Sequence, residues 1–329
     1  MIFKCSSCGA NTVWNPEKQA MVCPHCDGVE TQAANPSQIA NCPSCGAPLS
    51  PGQYVSAMKC PQCSSYLIFE ERITGELTPH LVLPFMISKK QAKNVLWETF
   101  GSKLFLPGTF LKEGSLDKME GSYIPFFLYD YFCNYNVSAI GKKVRTWTLG
   151  DTEYTETSTF EIRRQMLANF SRIPVDASLA MPDEQMDLLE PYDYNAMKAF
   201  APKYLSGFEA EYFSIDRNTL EPRARAKAKN DATVMVNQTI TGYTSVINRT
   251  DNCDLKITQE AYSLLPVWNY YYHYKGKNYL FHLNGQTGKM VGKAPISIPK
   301  VISCSVIMFI ASMIICFLLN GIIEMGGLL

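Results

Sequence analysis

The sequence predicts an α+β protein: two small four-cysteine modules, then a sheet-rich antiparallel α+β domain with helices on one side, then a single apolar helix. Three observations predict it. Cys-x-x-Cys occurs four times in the first 63 residues. Runs dense in aromatic and β-branched residues alternate with a few helical patterns across the middle. A run of 19 uncharged, mostly apolar residues, Val301 to Leu319, lies toward the C-terminal end. With 329 residues, 47% of them hydrophobic, the chain can bury a substantial core. Its 30 basic and 30 acidic residues cancel, so the overall charge advertises no polyanionic partner.

The cysteines carry the first element. Cys5, Cys8, Cys23 and Cys26 recur 37 positions later as Cys42, Cys45, Cys60 and Cys63, with 14 residues between the inner cysteines in both copies. Two residues between thiolates let one tight turn aim both sulfurs at a point, and two such turns complete a tetrahedral shell. Gly9 and Gly46 after the first pairs, and Pro24, Pro43 and Pro61 inside pairs, suit those turns. The spacing therefore predicts two zinc ribbons, at 1–33 and 38–69, each holding one structural Zn2+. Four thiolates leave no open position for water or substrate. A thioredoxin-type motif would need a βαβ setting and would not recur four times, and iron-sulfur spacings run closer together. His25 reads as a turn residue. Zinc would carry the folding of modules too small to hold themselves by burial. In residues 1–70, Lys4, Lys18 and Lys59 face Glu17, Asp27, Glu30 and Glu70, so these ribbons lack the cationic face that phosphate binding needs.

The last element follows from length and charge. Nineteen residues at about 1.5 Å each span about 28 Å, close to the hydrocarbon thickness of a bilayer, which predicts a transmembrane anchor at 300–329. Lys289, Lys293 and Lys300 precede the run, Lys275 and Lys277 lie further back, and no basic residue follows it. The positive-inside rule then predicts a single-pass cell-membrane protein, tail-anchored, with its N-terminal bulk in the cytoplasm. The opening "MIFKCSSCGA" has no signal-peptide character, which agrees with thiols kept reduced. Pro295 and Pro299 predict a stiff lead-in.

Residues 70–299 are expected to form the cytosolic domain. "SKKQAKNVLWETFGSK" predicts a helix capped by Ser88 and stopped at Gly101, with Ala92, Val95, Leu96, Trp97 and Phe100 as its apolar stripe. "PDEQMDLLEPYDYNAMKAF" predicts a broken helix. "NTLEPRARAKAKNDATVMVNQT" predicts a helix whose Arg223, Arg225, Lys227 and Lys229 either form a solvated face or lean on anionic headgroups of the membrane surface. The segments at 123–141, 144–165 and 262–292 predict antiparallel hairpins. Leu83-Pro84-Phe85, Ile124-Pro125-Phe126 and Leu265-Pro266-Val267 repeat one phrase and suggest related β-units. Gly288-Lys289 fails the phosphate-loop pattern, since Leu283 and Met290 stand where glycine and Ser or Thr are needed. His273 and His282 could face each other across a hairpin. No catalytic constellation is recognisable, and the chain is not expected to be an enzyme.

The paired ribbons, "MEGSYIPFFLYDY" (119–131), "FAPKYLSGFEAEYF" (200–213), "LLPVWNYYYHYKGKNYLFHLNGQTGKMVGKAPIS" (264–297) and the final helix together resemble bacterial membrane proteins labelled TFIIB-type zinc-ribbon-containing proteins. The likeness covers nearly the whole chain; Phe127 stands where that family commonly has tryptophan. Some members, one of them from Bacillus, are encoded beside phage-shock-type and SPFH proteins. The resemblance thus implies a part in membrane stress and partners among cytosolic or membrane-associated proteins, those two classes included. The leading expectation is a membrane-anchored zinc-ribbon adaptor that docks cytosolic proteins at the bilayer. The alternatives are a membrane-tethered nucleic-acid binder, disfavoured by charge, and a membrane enzyme of unknown chemistry.

Overall fold

Aromatic and β-branched residues in partial alternation build three very long strands, and the rest of the domain is laid on them. The computed structural model describes residues 1–34 and 41–326. The expected start of the second ribbon at 38–40 and the end of the anchor at 327–329 fall outside those residues. In chain order the strands are β1 (Ile2–Cys5), β2 (Val13–Asn15), β3 (Ala20–Val22), β4 (Thr31–Ala34), β5 (Val55–Lys59), β6 (Tyr66–Ile68), β7 (Leu81–Val82), β8 (Glu120–Leu149), β9 (Thr152–Asp176), β10 (Lys198–Ala199), β11 (Glu209–Glu211), β12 (Ser245–Tyr274), β13 (Lys277–Asn284) and β14 (Met290–Gly292). The α-helices are α1 (Lys89–Phe100), α2 (Glu113–Leu116), α3 (Asp183–Leu188), α4 (Arg217–Asn237) and α5 (Ile298–Gly326). The fold is α+β, with two four-cysteine clusters at the N-terminal end and one long apolar helix at the other.

Ten strands share one sheet. β8 and β12 pair antiparallel along most of their length, β9 lies on the other side of β8, and β13 folds back on β12. Two short junctions are parallel, β11 with β8 and β7 with β12. The repeated proline phrases explain themselves here. Leu265 lies opposite Ile124, and Leu83 donates its backbone N–H to Leu264, so the three phrases sit side by side on β7, β8 and β12. Leu83, Ile124 and Leu265 are almost fully buried in one cluster with Phe126 and Val267.

α4 is helical as expected, and its spacing shows how it packs. Leu220, Ala224, Ala228, Ala232 and Val236 recur every fourth residue and are buried. Alanine lets the helix backbone come close to the sheet. Tyr129 donates its hydroxyl to Arg217 O at 2.6 Å, and the Tyr135 hydroxyl lies 3.2 Å from Thr233 Oγ1. Leucine at 228 would overfill that gap. Ala228→Leu is expected to cost about 1 to 3 kcal/mol in urea unfolding, whereas Ala226→Leu, on the exposed face, should leave stability nearly unchanged.

α1 has the expected Ser88 cap, completed by Gln91 as a capping box. It buries Ala92, Leu96 and Phe100, but Trp97 points outward and is 52% exposed. The stripe follows the four-residue row, and Trp97 stands a full 100° from Leu96 around the helix.

At its outer end the sheet narrows. β12 begins at Ser245, opposite Lys142, so the rest of β8 and its partner β9 continue alone as a two-stranded arm turning at Gly150-Asp151. Residues 143–149 are all exposed. Trp147 and Tyr154, directly opposite each other, stack at 5.8 Å and hold the arm together. At the chain's other end α5 is long enough to cross a membrane, and its Ile298–Phe317 window has a mean hydropathy of 2.3 with none of it buried. Pro299 lies in the first turn of this helix, where its missing N–H costs nothing.

Candidate metal centres

Four turns of one design make the two centres. In each, the first cysteine accepts at its carbonyl from the amide four residues on: Cys5 from Gly9, Cys23 from Asp27, Cys42 from Gly46 and Cys60 from Ser64. Each first cysteine also donates its own N–H five residues on, to Ala10, Gly28, Ala47 and Ser65. The residue at the fourth position must adopt a left-handed conformation, with φ of 73° at Gly9, 56° at Asp27, 74° at Gly46 and 60° at Ser64. Glycine is the signal legible in sequence at two of these turns, while the other two use residues that tolerate it. The 37-residue repeat extends to the backbone, since the isolated bridge Lys4↔Asn11 recurs as Asn41↔Pro48.

These turns converge the sulfurs. Cys5, Cys8, Cys23 and Cys26 have their Sγ atoms within 4.8 Å of one another, and so have Cys42, Cys45, Cys60 and Cys63. Cys5–Cys26, Cys8–Cys23 and Cys42–Cys63 lie at 3.6 Å and Cys45–Cys60 at 3.8 Å. Such edges belong to a tetrahedron whose centre is about 2.2 to 2.3 Å from each sulfur, a metal–thiolate distance. All eight sequence-predicted ligands are thus brought together in the expected sets, and each set could hold a metal ion. His25 is exposed and takes no part. The amides of Cys8 and Ser7 lower the Cys5 thiol to about 6. Cys26, although the Gly28 amide pulls it down, is pushed up to about 12 by the sulfurs of Cys8, Cys5 and Cys23. Without a cation the four sulfurs compete for protons, and a divalent ion would relieve that competition.

The centres are joined to each other and to the domain. Met1 and Ile68 exchange hydrogen bonds, Ile68 N–H donating to Met1 O at 3.0 Å and the Met1 ammonium to Ile68 O at 2.5 Å. Asn11 Nδ2 donates to Ser65 Oγ at 2.8 Å. Ile2 of the first module packs with Cys42, Cys60 and Leu67 of the second. The first module docks through Trp14, whose ring meets Tyr204 edge-on at 4.6 Å and whose backbone N–H donates to Ser206 O at 2.8 Å. The second is continuous with the large sheet, because β5 pairs with β11. Residues 55–68, placed by sequence in the second ribbon, are at the same time sheet strands.

The basic run on α4 needs a correction. Alternate positions in a helix fall on opposite flanks, so Arg223 and Lys227 lie on one side of the alanine row and Arg225 and Lys229 on the other. Arg223 bonds Asp176, Asp183 and Asp187, Lys227 bonds Asp187 and Glu190, and Arg225 bonds Glu221. Lys229 is exposed. Arg223 and Lys227 fasten the helix to β9 and the α3 region and Arg225 bonds Glu221 of its own helix and Leu255 O of β12, so three of the four cations are engaged and the run does not form one free patch for headgroups. Sequence gave no sign of the central partner. Asp176 is fully buried, and burial raises its carboxyl to about 6 even beside Arg223.

The histidines likewise find local partners. His273 and His282 do not face each other: register sets His273 against Asn278 and His282 against Asn269, each at 2.7 Å. Burial lowers His282 to about 4, so its neutral ring donates Nδ1–H to Asn269 Oδ1.

Over 234 residues, 71% of this chain and 69% of the relative, the sequence is 39% identical to the Bacillus subtilis (strain 168) protein YdjG. The chain belongs to the YdjG family. That relative is described as an uncharacterized protein, so the match brings kinship without an activity. No protein-family profile matches the chain, and no solved structure matches it.

Proposed function

We propose that this member of the YdjG family is a membrane-anchored zinc-ribbon adaptor that docks cytosolic proteins at the inner face of the cell membrane. The observation that carries the reading is α5, a helix of membrane-spanning length and hydropathy whose Ile298–Phe317 window has no residue buried against the folded domain. A soluble protein would bury such a helix, because about 25 cal/mol is lost for each Å² of apolar surface left in water. The lysines before it favour the orientation with the domain in the cytoplasm.

In this reading each tetracysteine set holds one structural Zn2+, since four sulfurs in a closed, reduced shell suit that ion and leave no open position for substrate. The Zn2+ ions make the second module a rigid part of the large sheet and the first a rigid head docked beside it through Trp14. The arm at 143–158 is the part most suited to a partner, with Leu149 70% exposed at its tip and unpaired strand edges on both sides. It lies beyond the Ser245 end of β12, while the start of α5 lies near the other end, and 30 residues of strand separate the two by up to about 100 Å. The resemblance to TFIIB-type zinc-ribbon membrane proteins suggests phage-shock-type or SPFH proteins as partners and membrane stress as the setting.

Affinity purification of the full chain from gently solubilised, nuclease-treated membranes tests this. A protein partner that survives nuclease, and whose recovery falls severalfold in Trp147→Ser/Tyr154→Ser, is expected. Material lost to nuclease alone would overturn the adaptor in favour of the nucleic-acid alternative, and recovery of nothing would remove it.

A further inference from the structure

Arg223, Arg225 and Lys227 of α4 are occupied by carboxylates, which raises the question of where the domain would touch the bilayer. Around the start of α5 the structure gathers a different surface. Ser297, the residue just before the helix, donates its N–H to Phe105 O at 2.7 Å, which fixes the loop after α1 at the helix root. Leu106 and Phe110 of that loop point into the core, at 7% and 0% exposure. Leu104 and Phe105 point out, at 78% and 40%. On the other side of the hydrogen bond Ile296 and Ile298 are 65% and 59% exposed. Trp97, the residue that left the expected stripe of α1, stands next to Gly101 at the base of the same loop.

Four large apolar side chains at one exit point, with Trp97 at the foot of the loop that carries two of them, are hard to reconcile with water and suit a membrane interface, where tryptophan settles at headgroup level. Charge agrees. Lys103, Lys293 and Lys300 lie in the same segments and are exposed, and none forms an ion pair with another described residue. Lys103 covers the Phe100 ring at 4.6 Å. Apolar side chains with lysines beside them complement a bilayer surface carrying anionic headgroups. The patch is also continuous with the apolar helix, so the layer that receives α5 must meet it.

We infer that Trp97, Leu104, Phe105, Ile296 and Ile298 form an interfacial collar that seats the domain on the lipid surface around α5. The collar rests on the reading of α5 as a membrane anchor. It would fix how the domain stands on the bilayer, which the anchor alone, a single helix, would leave free to swivel.

The test uses the full chain reconstituted into phosphatidylcholine vesicles containing phosphatidylglycerol, with and without a dibrominated phosphatidylcholine that quenches nearby tryptophan. Quenching is expected, and it should be lost in Trp97→Phe and strongly reduced in Leu104→Glu/Phe105→Glu. Of the other three tryptophans, Trp14 and Trp268, both 6% exposed, and Trp147, on the arm at the far end of β8, should contribute none of it. Protein that resists alkaline extraction yet shows no Trp97-dependent quenching would overturn the collar and leave the anchor standing. Protein that alkaline extraction releases from the vesicles would overturn both.

Discussion

Cys60→Ser is expected to release one of the two metal equivalents and to unravel far more than the turn in which it sits. Cys60 is completely buried, and it packs with Ile2, Cys42 and Leu67 where the two modules meet. Its turn closes the hairpin of β5 and β6, and β5 is paired through β11 to the long strand β8. Zinc binding is worth about 10 to 16 kcal/mol in small zinc-finger peptides, comparable with the whole stability of an ordinary domain. Cys8→Ser should also cost one metal equivalent, but Cys8 is exposed and its module reaches the domain mainly through Trp14 and Ser206. Metal content and thermal unfolding of the two variants check this. The expected result is equal loss of metal with a much larger fall in melting temperature for Cys60→Ser. Equal melting temperatures would mean that the second module is no more tightly coupled to the sheet than the first.

Ile307→Asp combined with Ile310→Asp is expected to move the protein from the membrane pellet to the soluble fraction. Both residues lie near the middle of the Ile298–Phe317 window. A charged residue at the centre of a membrane helix costs about 2.5 to 3.5 kcal/mol on the insertion scale, so two together cost about 5 to 7 kcal/mol. The domain should remain folded, because none of that window is buried against it. Fractionation with an alkaline wash checks the first point and circular dichroism the second. A variant that stayed in the pellet would show that α5 is not what holds the protein there.

The bilayer reading separates two surfaces that one sequence feature had merged. The cations at 223–229 looked available for headgroups, but Arg223 and Lys227 clamp α4 to acidic residues of β9 and the α3 region. The surface suited to lipid is assembled from α1, the loop after it and the lead-in to α5, segments nearly 200 residues apart in the chain. Trp97 is the instructive residue. Counted as core by its spacing, it faces outward, at the foot of the loop that is tied to the root of α5.

The sequence by itself determined what depends on spacing and length. Thiolates two residues apart, repeated at a fixed offset, can converge on little besides a metal, so all eight cysteines and their grouping were legible. So were the Ser88 cap, the helical α4, the hairpins at 144–165 and 262–292 and the long apolar helix, because each obeys a local period, whereas 123–141, expected as a hairpin, runs as one uninterrupted length of β8. Tertiary structure alone decided what those elements face. It fused the second module to the sheet through β11, set the three proline phrases side by side, paired each hairpin histidine with an asparagine, and gave Arg223 a buried partner 47 residues away. The physical reason is common to all four. Strand register and ion pairing are long-range choices, settled by which surfaces bury together, and one-dimensional spacing carries no record of them.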